Sequence, residues 1–215
     1  MTLHLSELRL DPKNGLAALD LGNRYLMHQT LSTFRMDAFA PDSAARIAEN
    51  PAPEDRVLWR QEDARVLVQS HFQPDFTRLQ DEGYLLPDGH RSTPLNLQFQ
   101  AGQGFRFRLE ANVTVRKIGE DGRSRRCSVH TVDGQLDWLK RQGERLGFQA
   151  WADVTGVESV RCLKKGNGGG RMVFNSVRFD GELEVTAPAL FEEMFGQGMG
   201  HAKSLGFGLL SLGRR

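Results

Sequence analysis

Phe105-Arg-Phe-Arg-Leu-Glu-Ala-Asn-Val-Thr-Val115 places an apolar residue at every second position, as Phe105, Phe107, Leu109, Ala111, Val113 and Val115. Successive side chains of a strand point to opposite faces, so this spacing predicts a half-buried β-strand, the best patterned in the chain. Arg106 and Arg108 then share the face opposite the two phenylalanines. Just upstream, Ala101-Gly-Gln-Gly104 breaks the chain.

The same order of elements is read on both sides of that break. Upstream, Leu3–Leu10 is a strand with one slip in its alternation, and Asn23 is placed to cap a helix running from Arg24 to about Phe34. Residues 37–55, rich in Ala, Pro, Asp and Glu, read as an acidic loop facing solvent or a protein neighbour. Strands at Val57–Arg60 and Val66–Ser70, a short helix between Pro74 and Gly83, and a strand at Leu95–Gln100 complete the half. Downstream, a turn at Gly119–Gly122 leads through a basic segment to a helix over Gln135–Leu146. Strands near Val157–Leu163 and Met172–Val185 flank the turn Gly166–Gly170, before a helix over Ala187–Phe195 and a last strand at Gly208–Leu212. Both halves read β-α-β-β-α-β. The expected fold is therefore α+β, two tandem ferredoxin-like (RRM-like) domains over residues 1–101 and 102–215. Many functions share that fold, so function must come from particular residues.

The composition narrows the field. The 215 residues are 39% hydrophobic, with no apolar run long enough for a membrane span and no secretory leader pattern in residues 1–20. Cys127 and Cys162 lack metal-ligand spacing and read as free thiols in a reducing cytoplasm. The net charge is only +1, but the charge is segregated. Arg161, Lys164, Lys165, Arg171 and Arg178 fall in a stretch with no acid, and seven basic residues face three acidic ones between Gln103 and His130. Such segregation gives a local basic field on a nearly neutral molecule.

Three groups of residues carry candidate chemistry. In Phe195–Leu212, glycines at 196, 198, 200, 206 and 208 surround Lys203. Neither nucleotide-binding glycine spacing is met, and the run follows a helix and opens a strand rather than the reverse. Backbone N–H groups freed by Gly198 and Gly200, with one lysine among them, suit a phosphate of a polymer. A tight helix–strand connection is the competing reading. On the first helix, Met27, Leu31 and Phe34 form a core stripe, while Tyr25, His28, Gln29 and Ser32 lie together on another face. A phenol and an imidazole one turn apart can reach one bound group, and histidine exchanges protons near neutral pH. On the strands, Arg106 and Arg108, continued by Arg116, Lys117, Arg123, Arg125 and Arg126 and joined by the 161–171 hairpin, suit an RNA hairpin with flanking single strand. Solvated charged strand edges are the competing reading. No histidine forms a metal-ligand set with carboxylates or cysteines, no cofactor motif is present, and metal-free chemistry is expected. His201 is expected to cap the glycine loop.

Together, Tyr25-x-x-His28-x-Thr-Leu, Phe105-Arg-Phe-Arg-Leu-Glu-Ala-Asn112 and Gly198-x-Gly-x-Ala-Lys203-Ser-x-Gly-x-Gly-Leu-Leu-Ser-Leu212 resemble one family across nearly the whole chain. It is the CasE-type CRISPR repeat-processing endoribonucleases of type I-E Cascade. The resemblance implies tandem ferredoxin-like domains and metal-independent cleavage of precursor CRISPR RNA at the base of the repeat hairpin. The upstream 2′-OH would attack the scissile phosphate, leaving 5′-OH and 2′,3′-cyclic phosphate ends. His28 would be the general acid/base, Tyr25 would orient the phosphate or assist proton transfer, and Lys203 with its glycine loop would contact RNA or hold the site. The implied partners are the CRISPR repeat hairpin RNA and other Cascade subunits. Where related sequences often flank Ala111-Asn112 with arginine and proline, this chain has Glu110 and Val113. A non-catalytic hairpin-binding subunit would share the basic grip but not need the Tyr25/His28 pair.

Overall fold

The computed structural model describes residues 2–32, 55–163 and 170–215. Phe34, the 37–54 stretch, Lys164, Lys165 and the 166–169 turn therefore lie outside the described residues. The described chain forms two compact units. One comprises Met1–Leu97 with Cys162–Met172 and Ser204–Gly206, the other Gln98–Arg161, Val173–Lys203 and Phe207–Arg215. No helix among the described residues is long and apolar enough to cross a membrane.

In the first unit, β1 (Leu3–Leu10), α1 (Gly15–Gly22), α2 (Arg24–Leu31), β2 (Val57–Glu62), β3 (Arg65–Ser70), α3 (Thr77–Asp81) and β4 (Leu85–Leu95) follow in order. The sheet runs β2-β3-β1-β4, and β1 pairs antiparallel with both neighbours. The fourth strand is Leu85–Leu95 and not Leu95–Gln100. Its start is disguised: the register against β1 jumps between Leu8 and Leu10, and a bulge over Leu86–Gly89 holds Asp88 at φ 50°. Pro87-Asp88-Gly89 reads locally as a turn, so the alternation is lost there. α1 is also absent from the sequence reading, because Leu16 and Leu19 are exposed while Ala17 and Asp20 are buried. No apolar stripe marks it.

The break between α1 and α2 is made by Asn23. Its extended backbone (φ −147°) ends α1, while its side-chain oxygen accepts the Tyr25 N–H and caps α2. Buried Asp20 then holds the two helices on the core, accepting from Thr30 Oγ1 at 2.6 Å and from Tyr84 Oη at 2.7 Å. Burial and this neighbouring carboxylate both raise the Tyr84 phenol's pKa, keeping it a neutral donor. Met27 and Leu31 of α2 pack with Leu8, Trp59, Val68 and Tyr84 in the core.

The second unit repeats the plan with β5 (Gly104–Asn112), β6 (Thr114–Ile118), β7 (Ser124–Ser128), α4 (Val132–Leu146), β8 (Phe148–Leu163), β9 (Arg171–Val185), α5 (Pro188–Gln197) and β10 (Leu210–Arg214). Its sheet order is β10-β5-β9-β8, so first and third strands are again central and the fourth pairs the first. Both units thus have the ferredoxin-like order. The eleven-residue alternation predicts one strand, but the structure divides it. Val113 is fully buried between β5 and β6, and its carbonyl accepts the Val129 N–H. The basic segment after it is the hairpin β6–β7, inserted before α4. α4 begins on Thr131, whose hydroxyl accepts the Gly134 N–H, and ends on left-handed Gly147. Its Trp138 stacks on Phe179 of β9 with ring centroids 6.2 Å apart.

Candidate active site and nucleic-acid interface

Tyr25 and His28 occupy consecutive turns of α2, and the helix is anchored at its N-terminal end by segments far away in sequence. Asn23 Nδ2 donates to Leu163 O at 3.0 Å. The buried Cys162 thiol accepts from the backbone N–H groups of Arg24 and Tyr25, and burial raises its pKa. It is a structural thiol rather than a reactive one. Arg24 Nη1 reaches the carbonyls of Leu205 and Gly206, and Trp59 Nε1 donates to Ser204 O at 3.0 Å. At Gly206 (φ +81°) an added Cβ would lie 2.8 Å from the Trp59 ring. The residues after Lys203 are therefore fitted against the core beside α2, which explains why a glycine is needed there.

His28 is half-buried, and desolvation lowers its pKa below 6.5. At neutral pH the ring is an uncharged imidazole with one basic nitrogen. Ser32, at the C-terminal end of α2, places its Oγ 3.3 Å from His28 Nδ1 and 2.6 Å from His28 O. Tyr25 is half-buried one turn earlier. The pair expected from the sequence is thus brought onto a fixed, short helix, and Ser32, read only as part of the polar face, joins it.

The glycine loop in the second unit is held tightly. Gly198 (φ 72°) caps α5, Gly200 (φ 84°) sits against the Trp138 ring, and Gly208 accepts from Met199 N while donating to Glu110 O. Lys203 Nζ donates to Gly198 O at 3.4 Å, so the lysine spans its own loop and bonds the C-cap carbonyl of α5. His201 makes an antiparallel bridge to Asn112 of β5 and is exposed, so it ties the loop to a strand edge. Its pKa is lowered first by desolvation and then by Arg126, Arg116, Lys203 and Arg145. These cations surround one rim. Trp138, Gln142, Arg145, Gln197, His201 and Lys203 line a pocket of about 410 Å³ there.

The β6–β7 hairpin supplies much of that charge. Arg116 pairs directly with Arg126 and Lys117 with Arg125, all exposed, and among the described residues only Arg125 of these four has an ion-pair partner, Asp121. Like charges facing each other across strands destabilise a hairpin. Exposed cations placed in this way can accommodate an anionic partner. Arg126 belongs to the basic run expected from the sequence, whereas Arg145 has no such signal. Arg145 reads as an ordinary cation in the last turn of a helix, and only the fold brings it to this rim.

The other predicted cations are dispersed. Arg106 is exposed on β5 opposite Glu182. Arg108 is bound at 2.6 Å to Asp180, which also accepts from Thr155. Burial pushes Asp180 upward, but these hydrogen bonds and the charge of Arg108 outweigh it and leave its pKa low. The charge of Arg108 is thus matched within the sheet. Arg161 and Arg171 are exposed at the ends of the long β8–β9 pair. Among the described residues no group of three or more His, Cys, Asp and Glu is arranged to hold a metal ion.

A family profile described as CRISPR-associated protein matches residues 3–214. The CRISPR-associated endoribonuclease Cse3 of Thermus thermophilus is 34% identical, over 97% of this chain and 98% of its own length. The Cascade subunit CasE of Escherichia coli is 32% identical over 57% of this chain and 64% of its own. A solved structure of Cse3 bound to a 19-nucleotide RNA superposes with a TM-score of 0.81, at 31% identity over 99% of both chains. The chain belongs to the CRISPR-associated endoribonucleases of the CasE (Cse3) type.

Proposed function

We propose that this protein cleaves precursor CRISPR RNA at the base of each repeat hairpin, without a metal ion, and keeps the hairpin end as a subunit of Cascade. The observation that carries the reading is His28: a half-buried, uncharged imidazole on a helix anchored at its N-terminal end, with a phenol one turn away. Its uncharged state suits it to accept the proton of the 2′-hydroxyl at neutral pH. The 2′-oxygen then bonds to phosphorus, the P–O5′ bond breaks, and the leaving 5′-oxygen takes the proton of Tyr25. The products are a 2′,3′-cyclic phosphate and a 5′-OH, and solvent returns both side chains to their starting states.

Binding is assigned to the basic rim, with Arg116 and Lys117 of the hairpin leading and Lys203, Gly198 and Gly200 shaping the loop beside them. Arg106, Arg108, Arg161, Lys164, Lys165 and Arg171 are proposed as further contacts, Arg108 weakly because Asp180 already holds it. The names of the relatives support this reading, one an endoribonuclease solved with RNA and the other a Cascade subunit.

The test is His28→Ala with a repeat-hairpin RNA. Cleavage should fall by about 10²–10⁴-fold, the usual worth of a positioned acid or base. Hairpin affinity and the circular dichroism spectrum should be unchanged. Undiminished cleavage would remove His28 from the chemistry and favour a binding subunit whose nuclease lies elsewhere.

A further inference from the structure

We propose that Ser32 is a positioning residue that holds His28 as its Nδ1–H tautomer and so presents Nε2 as the unprotonated, proton-accepting nitrogen. The inference rests on His28 being the base. A serine hydroxyl has one proton and two lone pairs, whereas a backbone carbonyl can only accept. Ser32 Oγ lies 2.6 Å from His28 O, so its single proton is committed to that carbonyl. What it turns toward His28 Nδ1, 3.3 Å away, is a lone pair. A lone pair faces a nitrogen favourably only when the nitrogen carries the hydrogen. Nδ1 is therefore the donor, and in the neutral ring Nε2 must be the acceptor.

The helix geometry makes this contact local and sturdy. Ser32 follows His28 by four residues, one turn on, and its own N–H also donates to His28 O. No other side-chain hydrogen bond to the His28 ring is made among the described residues. An ordinary reading of the same serine is a cap for the last turn, because Ser and Thr commonly bond back to the carbonyl four residues earlier. That role accounts for the 2.6 Å contact but not for the second one, to Nδ1.

The two roles separate experimentally in the full chain with ¹⁵N-labelled histidine. Long-range ¹H–¹⁵N spectra should show His28 with a protonated Nδ1 and a bare Nε2. In Ser32→Ala the proton should shift largely to Nε2, as in free histidine. Cleavage at saturating protein should fall about tenfold, as when the partner orienting a functional histidine is removed, with hairpin Kd unmoved. Ser32→Thr, which keeps the hydroxyl, should restore tautomer and rate. An Nε2–H tautomer in the wild type, or an unaltered tautomer in Ser32→Ala, overturns the proposal. Full cleavage by His28→Ala would instead overturn the assignment of the base, and the spectra would still decide the Ser32 contact on their own.

Discussion

Burial is what makes an imidazole on a short helix useful at neutral pH. Desolvation penalises the charged ring, so His28 stays a base at acidities where a free histidine would be protonated. Protonation removes the base, so activity should be lost as pH falls through the lowered pKa. The acidic limb of a cleavage–pH profile, taken at limiting protein, should therefore lie below pH 6.5. A limb at or above that value would mean the ring behaves as an exposed one. Tyr25 makes a separable claim. Tyr25→Phe should slow cleavage of ordinary RNA, yet cleave RNA with a bridging 5′-sulfur at the wild-type rate, since a thiolate leaves without a proton. Equal slowing of both substrates would make Tyr25 a positioning group.

At the level of elements, α2 is set by residues that the sequence places far apart. Gly206→Ala tests this directly. Its methyl would meet the Trp59 ring at 2.8 Å, in a left-handed conformation. The expected loss is about 2–4 kcal/mol in urea unfolding followed by tryptophan emission, from backbone strain and overpacking together. A loss under about 0.5 kcal/mol, the size of an ordinary surface change, would contradict the packing described. Some of this architecture could be read beforehand. Phe107, Leu109 and Ala111 alternate because they line one fully apolar buried face of β5, and Asn23 announced the start of α2. The bulge at Pro87-Asp88-Gly89 hid β4, and a helix burying Ala17 and Asp20 while exposing leucines carries no apolar stripe. The β6–β7 hairpin was legible as charge but not as structure, because Arg116, Lys117, Arg125 and Arg126 break every apolar period. Contacts such as Lys203 to Gly198 O, or Ser32 to the His28 ring, depend on rotamers that no pattern encodes.

Over the whole molecule, a net charge of +1 conceals a basic rim balanced by acids elsewhere. Arg116, Arg126, Arg145 and Lys203 converge around His201 only after folding, so their field exceeds anything the composition implies. Replacing Arg116 and Arg126 together by alanine should weaken hairpin binding and flatten its salt dependence. Every phosphate that the variant leaves unneutralised should lower the slope of log K against log salt by about 0.7–0.9. An unchanged slope would move the RNA to another surface. Lys203→Ala should alter the slope less than either arginine, because the lysine is engaged with its own loop.

The most direct measurement is cleavage of repeat-hairpin RNA in EDTA, comparing all-ribose RNA with RNA carrying one 2′-deoxynucleotide just upstream of the scissile phosphate. The account predicts that the first is cut to a 2′,3′-cyclic phosphate and a 5′-OH, while the second is bound equally tightly and left intact. Cleavage of the deoxy substrate, or loss of cleavage of the all-ribose RNA when metal is removed, would contradict it.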